Sequence, residues 1–453
     1  MIVDLLREGY VLKAKERGQS GYPTGSRLGK CGAQLQQLLY PSLGRPEPWQ
    51  PRSLMAMEAG DIHAAWMNRN IRAAFGGLWG LREQPFFFPV PIGDEYRGQN
   101  VLESLEEKFA REWGVEGRLW GTVFPGFYPP KIEETPAGKL RVGGLDQEIN
   151  GRALNKIGMV LDPDAKDVEG RRHPTIWVPT YIDGAIRHPA AGLTVVEEKS
   201  MSNYQFRRAL LGYVDYEKRA QLAGMVTAMR VSSALWLCNR RETMHLAEIA
   251  FLRRAQRTLV RLRNLSGEWD TFVVTDRTHE KVRRVTAEGL EPSGAEDEAL
   301  PGDAAWDIAE AQTPWDDELV PQIQRRVLAV VLFDGDPTAL LREYGPPSFT
   351  CSDCEGTGTQ KFRKGTTIPL KKAKACQACG QTGAVEKREL SFPCSYCQVA
   401  MSCFASAGVE RVIDSRPHLF ITRENWEKSG LTFTPPEPPV LVPAVGEDEE
   451  EAE

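Results

Sequence analysis

Apolar positions recur at helical spacing in LESLEEKFAREWG (Leu102 to Gly114), and the first 120 residues are predicted to be mainly helical. Between about 115 and 200 the period changes. RLWGTVF, TIWVPTYIDGAI and LTVVEEKS are short runs of β-branched and aromatic residues bounded by Gly and Pro, the pattern of strands. Residues 125–175, rich in Pro, Gly and Asp, predict a long loop or insertion. A helix is expected from about Tyr204 to Met229, then a strand, VSSALWLC, and an apolar segment, MHLAEIAFL, that runs into a basic helix, RRAQRTLVRLRNL. This order of helix, strands, helix and strand is that of an α/β core. Residues 281–315, acidic with Gly, Ala and Pro, predict a loose linker. VPQIQRRVLAVVLF predicts one more helix, and PPEPPVLVP an extended end to the ordered part.

Composition narrows the classes. With 453 residues, 41% of them hydrophobic, the chain is long enough for two or three domains and can bury a full core. The N-terminus is charged throughout and no run of about 18 apolar residues occurs, so a soluble, unprocessed, cytoplasmic protein with no membrane partner is expected. Lys and Arg number 56 against 62 Asp and Glu, a net charge of −6. Any DNA-binding surface must therefore be local. The terminal EDEEEAE supplies much of the negative excess and reads as a solvated tail. Of nine cysteines, eight fall into metal-ligand spacings, which fits a reducing compartment better than a disulfide framework. Cys238, in SALWLC, reads as a buried core thiol.

In YIDGAIRHPAAGLTVVEEKS, Asp183 closes one strand pattern and Glu197 and Lys199 end the next, with a turn around Pro189 to Gly192. Glu197 and Lys199 are two apart and share a strand face, whereas Glu198 points to the other. Two carboxylates can hold Mg²⁺ or Mn²⁺ through hard oxygen ligands and leave positions open for water and a phosphate. Lys199 would orient the water or stabilise charge on the phosphorane. Glu-x-Lys alone is a weak signal, common on exposed strands. The apolar TVV before it favours a buried strand, which does not tolerate an unpartnered charge. His63, in the G-x-x-H of MEAGDIHAAWM, is a candidate further ligand, although a lone histidine is more often structural. Gln221, in DYEKRAQLAGM, sits among basic residues able to reach a backbone phosphate.

PCSYCQVAMSCF supplies Cys394, Cys397 and Cys403, a triplet that needs a fourth ligand; the one early cysteine is Cys31. Four thiolates of this kind hold an iron-sulfur cluster or zinc. CSDCEGTG and CQACGQTG supply Cys351, Cys354, Cys376 and Cys379, two C-x2-C knuckles with glycines behind each pair, as a tetrahedral Zn²⁺ site needs. The stretch between them carries Lys361, Arg363, Lys364, Lys371, Lys372 and Lys374. It either follows a DNA backbone or keeps a small zinc module soluble.

Taken in order, His63, Asp183, Glu197, Lys199 and Gln221 resemble the RecB-like branch of the PD-(D/E)XK nucleases, whose pattern is a G-x-x-H helix, an Asp, an E-x-K and a Q-x-x-x-Y helix. Met225 stands where that family has its tyrosine, leaving Tyr213 or Tyr216 as substitutes. GRLWG resembles the family's G-x-x-D-G strand with Trp120 in place of Asp, an alternative to Asp183. Cys31 with Cys394, Cys397 and Cys403 resembles the iron staple of AddB-type nucleases and of the RecB-like nucleases of CRISPR adaptation. That resemblance implies a [4Fe-4S] cluster joining the two ends of a nuclease domain. The first zinc knuckle resembles the cysteine-rich region of DnaJ-type chaperones, but the chain has no His-Pro-Asp tripeptide and only the zinc site is carried over.

The resemblance covers roughly residues 25–235 and 390–405. It implies an α/β fold, a restriction-endonuclease-like mixed sheet flanked by helices, with an inserted zinc-finger module. The expected division is a nuclease core at 1–265 with an insertion at about 122–175, a linker and helical segment at 266–345, and a Cys₄ zinc finger at 346–386. The core then returns at 387–425 with the cluster ligands, and a Pro-rich, acidic tail occupies 426–453. The expected activity is metal-dependent phosphodiester hydrolysis by a single-strand or end-acting exonuclease in DNA recombination, repair or replication. DNA and other replication or recombination proteins are the expected partners. The alternative is a non-catalytic nucleic-acid-binding or scaffold subunit of a DNA-processing or packaging assembly. The chain lacks a G-x-x-x-x-G-K-[ST] P-loop, which argues against a built-in helicase motor.

Overall fold

The run TIWVPTYIDGAI is divided at Ile182 and Asp183 and serves two sheets. The computed structural model describes residues 24–43, 51–75, 79–81, 84–93, 101–111, 113–115, 118–136, 139–167, 169–188, 192–202, 205–206, 216–240, 246–254, 257–263, 269–274, 282–284, 319–344, 349–351, 353–355, 357–362, 369–385, 387–389, 394, 397, 399–413 and 416–431. Its helices are α1 (Gly32–Leu39), α2 (Pro51–Phe75), α3 (Val101–Ala110), α4 (Tyr216–Met229), α5 (Leu319–Leu332), α6 (Ala400–Cys403) and α7 (Arg423–Ser429). An eight-stranded mixed sheet has the order β1 (Trp79–Gly80), β12 (Gly184–His188), β13 (Gly192–Met201), β14 (Ser233–Arg240), β15 (Leu246–Arg254), β16 (Arg257–Arg263), β17 (Trp269–Val274) and β18 (Val282–Arg284). A four-stranded sheet has the order β2 (Pro85–Pro91), β11 (Thr175–Tyr181), β10 (Met159–Asp162) and β5 (Gly121–Val123). Short antiparallel pairs are β3 (Gly114–Val115) with β4 (Arg118–Leu119), β6 (Lys131–Glu134) with β7 (Leu140–Gly143), and β8 (Glu148–Ile149) with β9 (Arg152–Ala153). β19 (Thr359–Phe362) pairs with β20 (Pro369–Ala375), and β21 (Lys387–Glu389), β23 (Arg416–Thr422) and β22 (Gly408–Ile413) form a small sheet.

The mixed α/β class is as expected. β13 and β14 are parallel, and α4 lies in the crossover between them. In α5, Leu319, Ile323, Val327 and Val331 are all buried and recur every four residues, so one stripe faces inward. From Ala220 to Val226 every residue of α4 is buried, as in a central helix. Both helices join Val195 of β13, Ala234, Trp236 and Cys238 of β14, and Phe86, Val90, Ile176 and Val178 of the smaller sheet in one core. The alternate residues Ile186, Val196 and Leu237 pack instead on Met67 of α2. The eight-stranded sheet is thus covered by α4 on the Glu197 face and by α2 on the other.

Lys108 of α3 ties this core to the end of α5. Its ammonium donates to Val331 O at 2.6 Å, Phe333 O at 3.0 Å and Tyr40 Oη at 2.6 Å, and burial pulls its pKa down to about 8 against the opposing pull of Asp334. Lys108→Met keeps the apolar stem but removes the donor to Val331 O and leaves Phe333 O to the Tyr40 hydroxyl, so urea unfolding should show a loss of about 1–3 kcal/mol.

Several expectations are corrected. The helices of the first 120 residues are interrupted by a strand that was not expected, β2: PFFFPVP is an edge strand, where Pro89 and Pro91 leave no ladder donor missing. Residues 125–175 are not a loop but hairpins and β10. Phe127, Ile149, Leu154 and Ile157 pack on Phe87 and Val160, and Gly126 and Gly151 are turn residues with φ of 71° and 72°. The basic helix is two strands. β15 pairs antiparallel with β14, and β16 pairs antiparallel with β15, Arg254 opposite Arg257. Strand pairing satisfies the backbone of the described residues of this run, which outweighs the helical propensity of its Arg and Leu residues. β18 falls at the start of the expected 281–315 linker, and the sheet continues past residue 265. Residues 207–215 of the expected long helix, 285–315 and the acidic tail lie outside the described residues.

Candidate active site and metal centres

Asp183 sits where the chain leaves β11 and enters β12, and its Oδ2 accepts a 2.8 Å hydrogen bond from Glu198 N. This bond pins the Asp183 carboxylate to the end of β13, beside Glu197. Glu197 is only 1% exposed and forms an ion pair with Lys199, which keeps about a quarter of its side chain exposed (26%). Burial, then the neighbouring Asp183 charge, push the Glu197 carboxyl up to about 8, although Lys199 opposes the shift. Burial pulls the Lys199 ammonium down, but Glu197 and Asp183 more than offset it and leave it raised. Among the described residues no hydrogen bond of ordinary geometry reaches either Glu197 oxygen. A buried acid, a second acid beside it and a lysine at the rim can accept a hard cation.

The other expected members are placed differently. Gln221 lies on α4, on the Glu197 side of the sheet, and is 9% exposed. His63 is on α2, which covers the opposite face; its Nδ1 is 3.4 Å from Asn239 Nδ2, and Asn239 alternates with Cys238, the residue level with Lys199. Among the described residues, His63, Asp183 and Glu197 do not bring three ligand atoms within 4.8 Å. Trp120 is a core aromatic with Leu35, Leu39 and Val330, stacked edge-on against Trp113, so the acid beside Glu197 is Asp183. Met225 is fully buried, and the Tyr216 hydroxyl accepts from Arg326 at 2.7 Å; Tyr213 lies outside the described residues. Lys218 was missed by the motif reading. Its charge acts on the Cys238 thiol, and it stands three residues before Gln221, one turn along the same helix.

Cys351, Cys354, Cys376 and Cys379 bring their sulfurs within 4.8 Å of one another and form a site that could bind a metal. Cys351 Sγ lies 3.7 Å from Cys376 Sγ, and Cys354 Sγ 3.6 Å from Cys379 Sγ. Four thiolates around one tetrahedral ion at a bond length near 2.3 Å stand about 3.8 Å apart, so the spacing fits a single zinc-like ion. The two knuckles repeat one set of contacts. Cys351 N donates to Gly383 O and Cys376 N to Gly358 O, while Thr357 and Thr382 each donate a hydroxyl hydrogen bond to the carbonyl of the cysteine three residues before. Gly358 and Gly383 have φ of 72° and 74°, and a Cβ on Gly358 would overlap the Gln381 carbonyl. Burial raises the Cys379 thiol, but the Gly383 N–H at 3.3 Å and the neighbouring thiols bring it down to about 7, toward the thiolate a metal needs. Behind the knuckles β19 and β20 form a hairpin, on which Lys372 and Lys374 are exposed. Lys361 and Lys371 are on its two strands; Arg363 and Lys364 lie outside the described residues.

The second set, Cys31, Cys394, Cys397 and Cys403, also converges. Burial raises the Cys397 thiol to about 12, with further contributions from Cys31, Cys394 and Cys403, and Cys403 likewise responds to Cys31 and Cys394. Cys394 and Cys403 share a small apolar core with Ala33, Phe333 and Phe404, against which Cys31 packs. Among the described residues no three of these sulfurs lie within 4.8 Å of one another. The set is therefore more open than the zinc-like one.

No protein-family model matches the chain, and no curated protein is significantly similar to it. Among solved structures, the chain described as "Crystal structure of SSO0001" is similar at 10% identity, over 55% of this chain and 77% of that one, with a TM-score of 0.26. A likeness at that level carries no argument about fold or function. No helix among the described residues is long and apolar enough to cross a membrane.

Proposed function

We propose that this chain is a divalent-metal-dependent DNA nuclease with a restriction-endonuclease-like core, acting on single strands or ends. The observation that carries the reading is the buried Glu197 carboxylate, beside Asp183 and ion-paired with Lys199. Mg²⁺ or Mn²⁺ held by Asp183 and Glu197 would supply charge relief at a scissile phosphate and an acidified water. Lys199, charged and reaching solvent, would orient that water and stabilise negative charge as it develops. Gln221 and Lys218, on the helix over the same face, would fix a backbone phosphate. The β19–β20 hairpin, with Lys372 and Lys374 turned outward, would follow the strand by salt-dependent phosphate contacts.

In the same reading Cys31, Cys394, Cys397 and Cys403 hold a [4Fe-4S] cluster with a structural role. Their burial and their origin at both ends of the chain support it, since closing so long a loop removes entropy from the unfolded state. Protein purified without oxygen should be brown, and Cys397→Ser should bleach it. A colourless protein with two zinc ions per chain would rule the cluster out.

End-labelled single-stranded and double-stranded DNA incubated with Mg²⁺ or Mn²⁺ tests the activity. Lys199→Ala and Asp183→Ala should each lower cleavage by at least about 10²-fold, with the circular dichroism of the parent retained. Metal-loaded protein that binds single-stranded DNA without cutting DNA or RNA would instead establish the non-catalytic scaffold.

A further inference from the structure

The loop from Gly25 to Gly32 runs from the four-thiol group of Cys31 across the first turns of α4, and the contact is close. A Cβ at Gly29 would overlap the backbone of Glu217, and a Cβ at Gly224 would overlap Leu28. Lys30 pairs with Glu217 at 2.6 Å. Arg326 of α5, 7% exposed, then fastens the same loop to the same helix: Nη1 donates to Leu28 O at 3.3 Å and to Tyr216 Oη at 2.7 Å, and Nε donates to Glu343 Oε1 at 2.6 Å. The other Glu343 oxygen accepts from Gly32 N at 2.8 Å.

Glu343 belongs to a strap of four consecutive residues that reaches the cysteines. Leu341 O accepts from Ala33 N at 2.7 Å and from Cys31 Sγ at 3.7 Å. Arg342 Nε donates to Cys403 O at 3.3 Å, and Tyr344 O lies 3.4 Å from Cys394 Sγ. A buried ion pair such as Arg326 with Glu343 is a poor source of net stability, because desolvation consumes most of the attraction. It does fix directions, and here every direction leads from the cysteines to α4.

We propose that the Cys31 loop, held by Arg326 and Glu343, is the positioning link that makes the placement of α4, with Gln221 and Lys218, depend on metal occupancy of the Cys31, Cys394, Cys397 and Cys403 group. The inference rests on the reading that this group binds a metal. With the thiols ligated, Cys31 is tied at its sulfur and its loop presses on Glu217. Without a ligand, the sulfur keeps its contact to Leu341 O and backbone hydrogen bonds from Ala33, Gln34 and Glu343, and the first turn of α4 loses the added restraint that ligation places on its neighbour. Arg326, Glu343 and Gly29 touch no substrate and act through α4.

Hydrogen exchange on the full, metal-loaded protein tests this without using cleavage. In Cys31→Ser, the α4 amides should exchange at least about ten-fold faster while β10 and β11 keep their protection. Gly29→Ala should give the same acceleration with visible absorbance and metal content unchanged. Arg326→Lys keeps a charge but loses the fork to Leu28 and Tyr216, and should fall between them. Unchanged α4 exchange in both Gly29→Ala and Cys31→Ser overturns the link, and so does an equal loss of protection in β10 and β11. Metal-free parent protein whose α4 amides exchange as slowly as those of the loaded protein overturns the occupancy dependence. Coupled α4 exchange in a protein that cuts no nucleic acid upholds the link and removes the catalytic reading alone.

Discussion

Glu197→Gln is expected to make the protein free of Mg²⁺ and Mn²⁺ more stable at pH 8 than its parent, and to abolish metal-dependent cleavage. The Glu197 carboxyl is held at about 8 in the fold against an ordinary value of 4.5, by burial and by Asp183. Between these values the folded state binds more protons than the unfolded chain, so stability falls as pH rises through that window. Below it both states are protonated and the cost vanishes; above it the full cost of a buried charge is present. Gln keeps the shape and removes the ionisation. The gap between variant and parent should therefore open from zero near pH 4 to on the order of 4 kcal/mol near pH 8. Lys199 retains Asp183 as a neighbouring charge in the variant. Mn²⁺ should raise the melting temperature of the parent at pH 8, where its ligand is ionised, and leave the variant unmoved. Melting curves at pH 5 and pH 8, with and without Mn²⁺, decide it. Parallel pH profiles for the two proteins would mean that Glu197 is not the buried acid described here.

The second large effect belongs to the knuckles. Cys351, Cys354, Cys376 and Cys379 make up the buried centre of their module, with Val385 packed against them. So small an apolar centre cannot offset the entropy of ordering the segment, and the metal must supply the difference, on the order of 10–16 kcal/mol for a structural zinc site. Cys376→Ser should lose the ion and unfold residues 351–385, while β2, β10 and β11, which have their own core, persist. Native mass spectrometry should show one fewer zinc per chain, and limited proteolysis should cut within the hairpin of the variant and spare it in the parent. Full zinc content in Cys376→Ser, or a hairpin equally resistant with and without the ion, would refute the assignment. DNA affinity should fall with the hairpin and its salt dependence should flatten, since phosphate contacts release counterions.

Local chemistry was legible in the sequence. Each C-x2-C knuckle is written within a few residues, where chain geometry alone brings two sulfurs together, and the paired glycines announce the left-handed turns that Gly358 and Gly383 adopt. The two-residue spacing of Glu197 and Lys199 sets them on one face of β13 whatever surrounds the strand. The four-residue period of α5 and the apolar run of β14 are likewise properties of short segments.

Long-range pairing was not legible. RRAQRTLVRLRNL suits a helix as well as a strand, and it is strand because β14 and β15 offer it an edge. Asp183 rather than Trp120 stands beside Glu197 because one caps β11 against Glu198 N and the other is sealed among Leu35, Leu39 and Val330. His63 keeps its predicted helix but not its predicted side, since α2 packs Met67 on the face away from Glu197. The relay through Arg326, Glu343 and Tyr216 has no sequence signature at all. The sequence by itself determined which groups are present and which near neighbours share a face. Tertiary structure alone decided their burial, and burial is what lifts the proton affinity of Glu197.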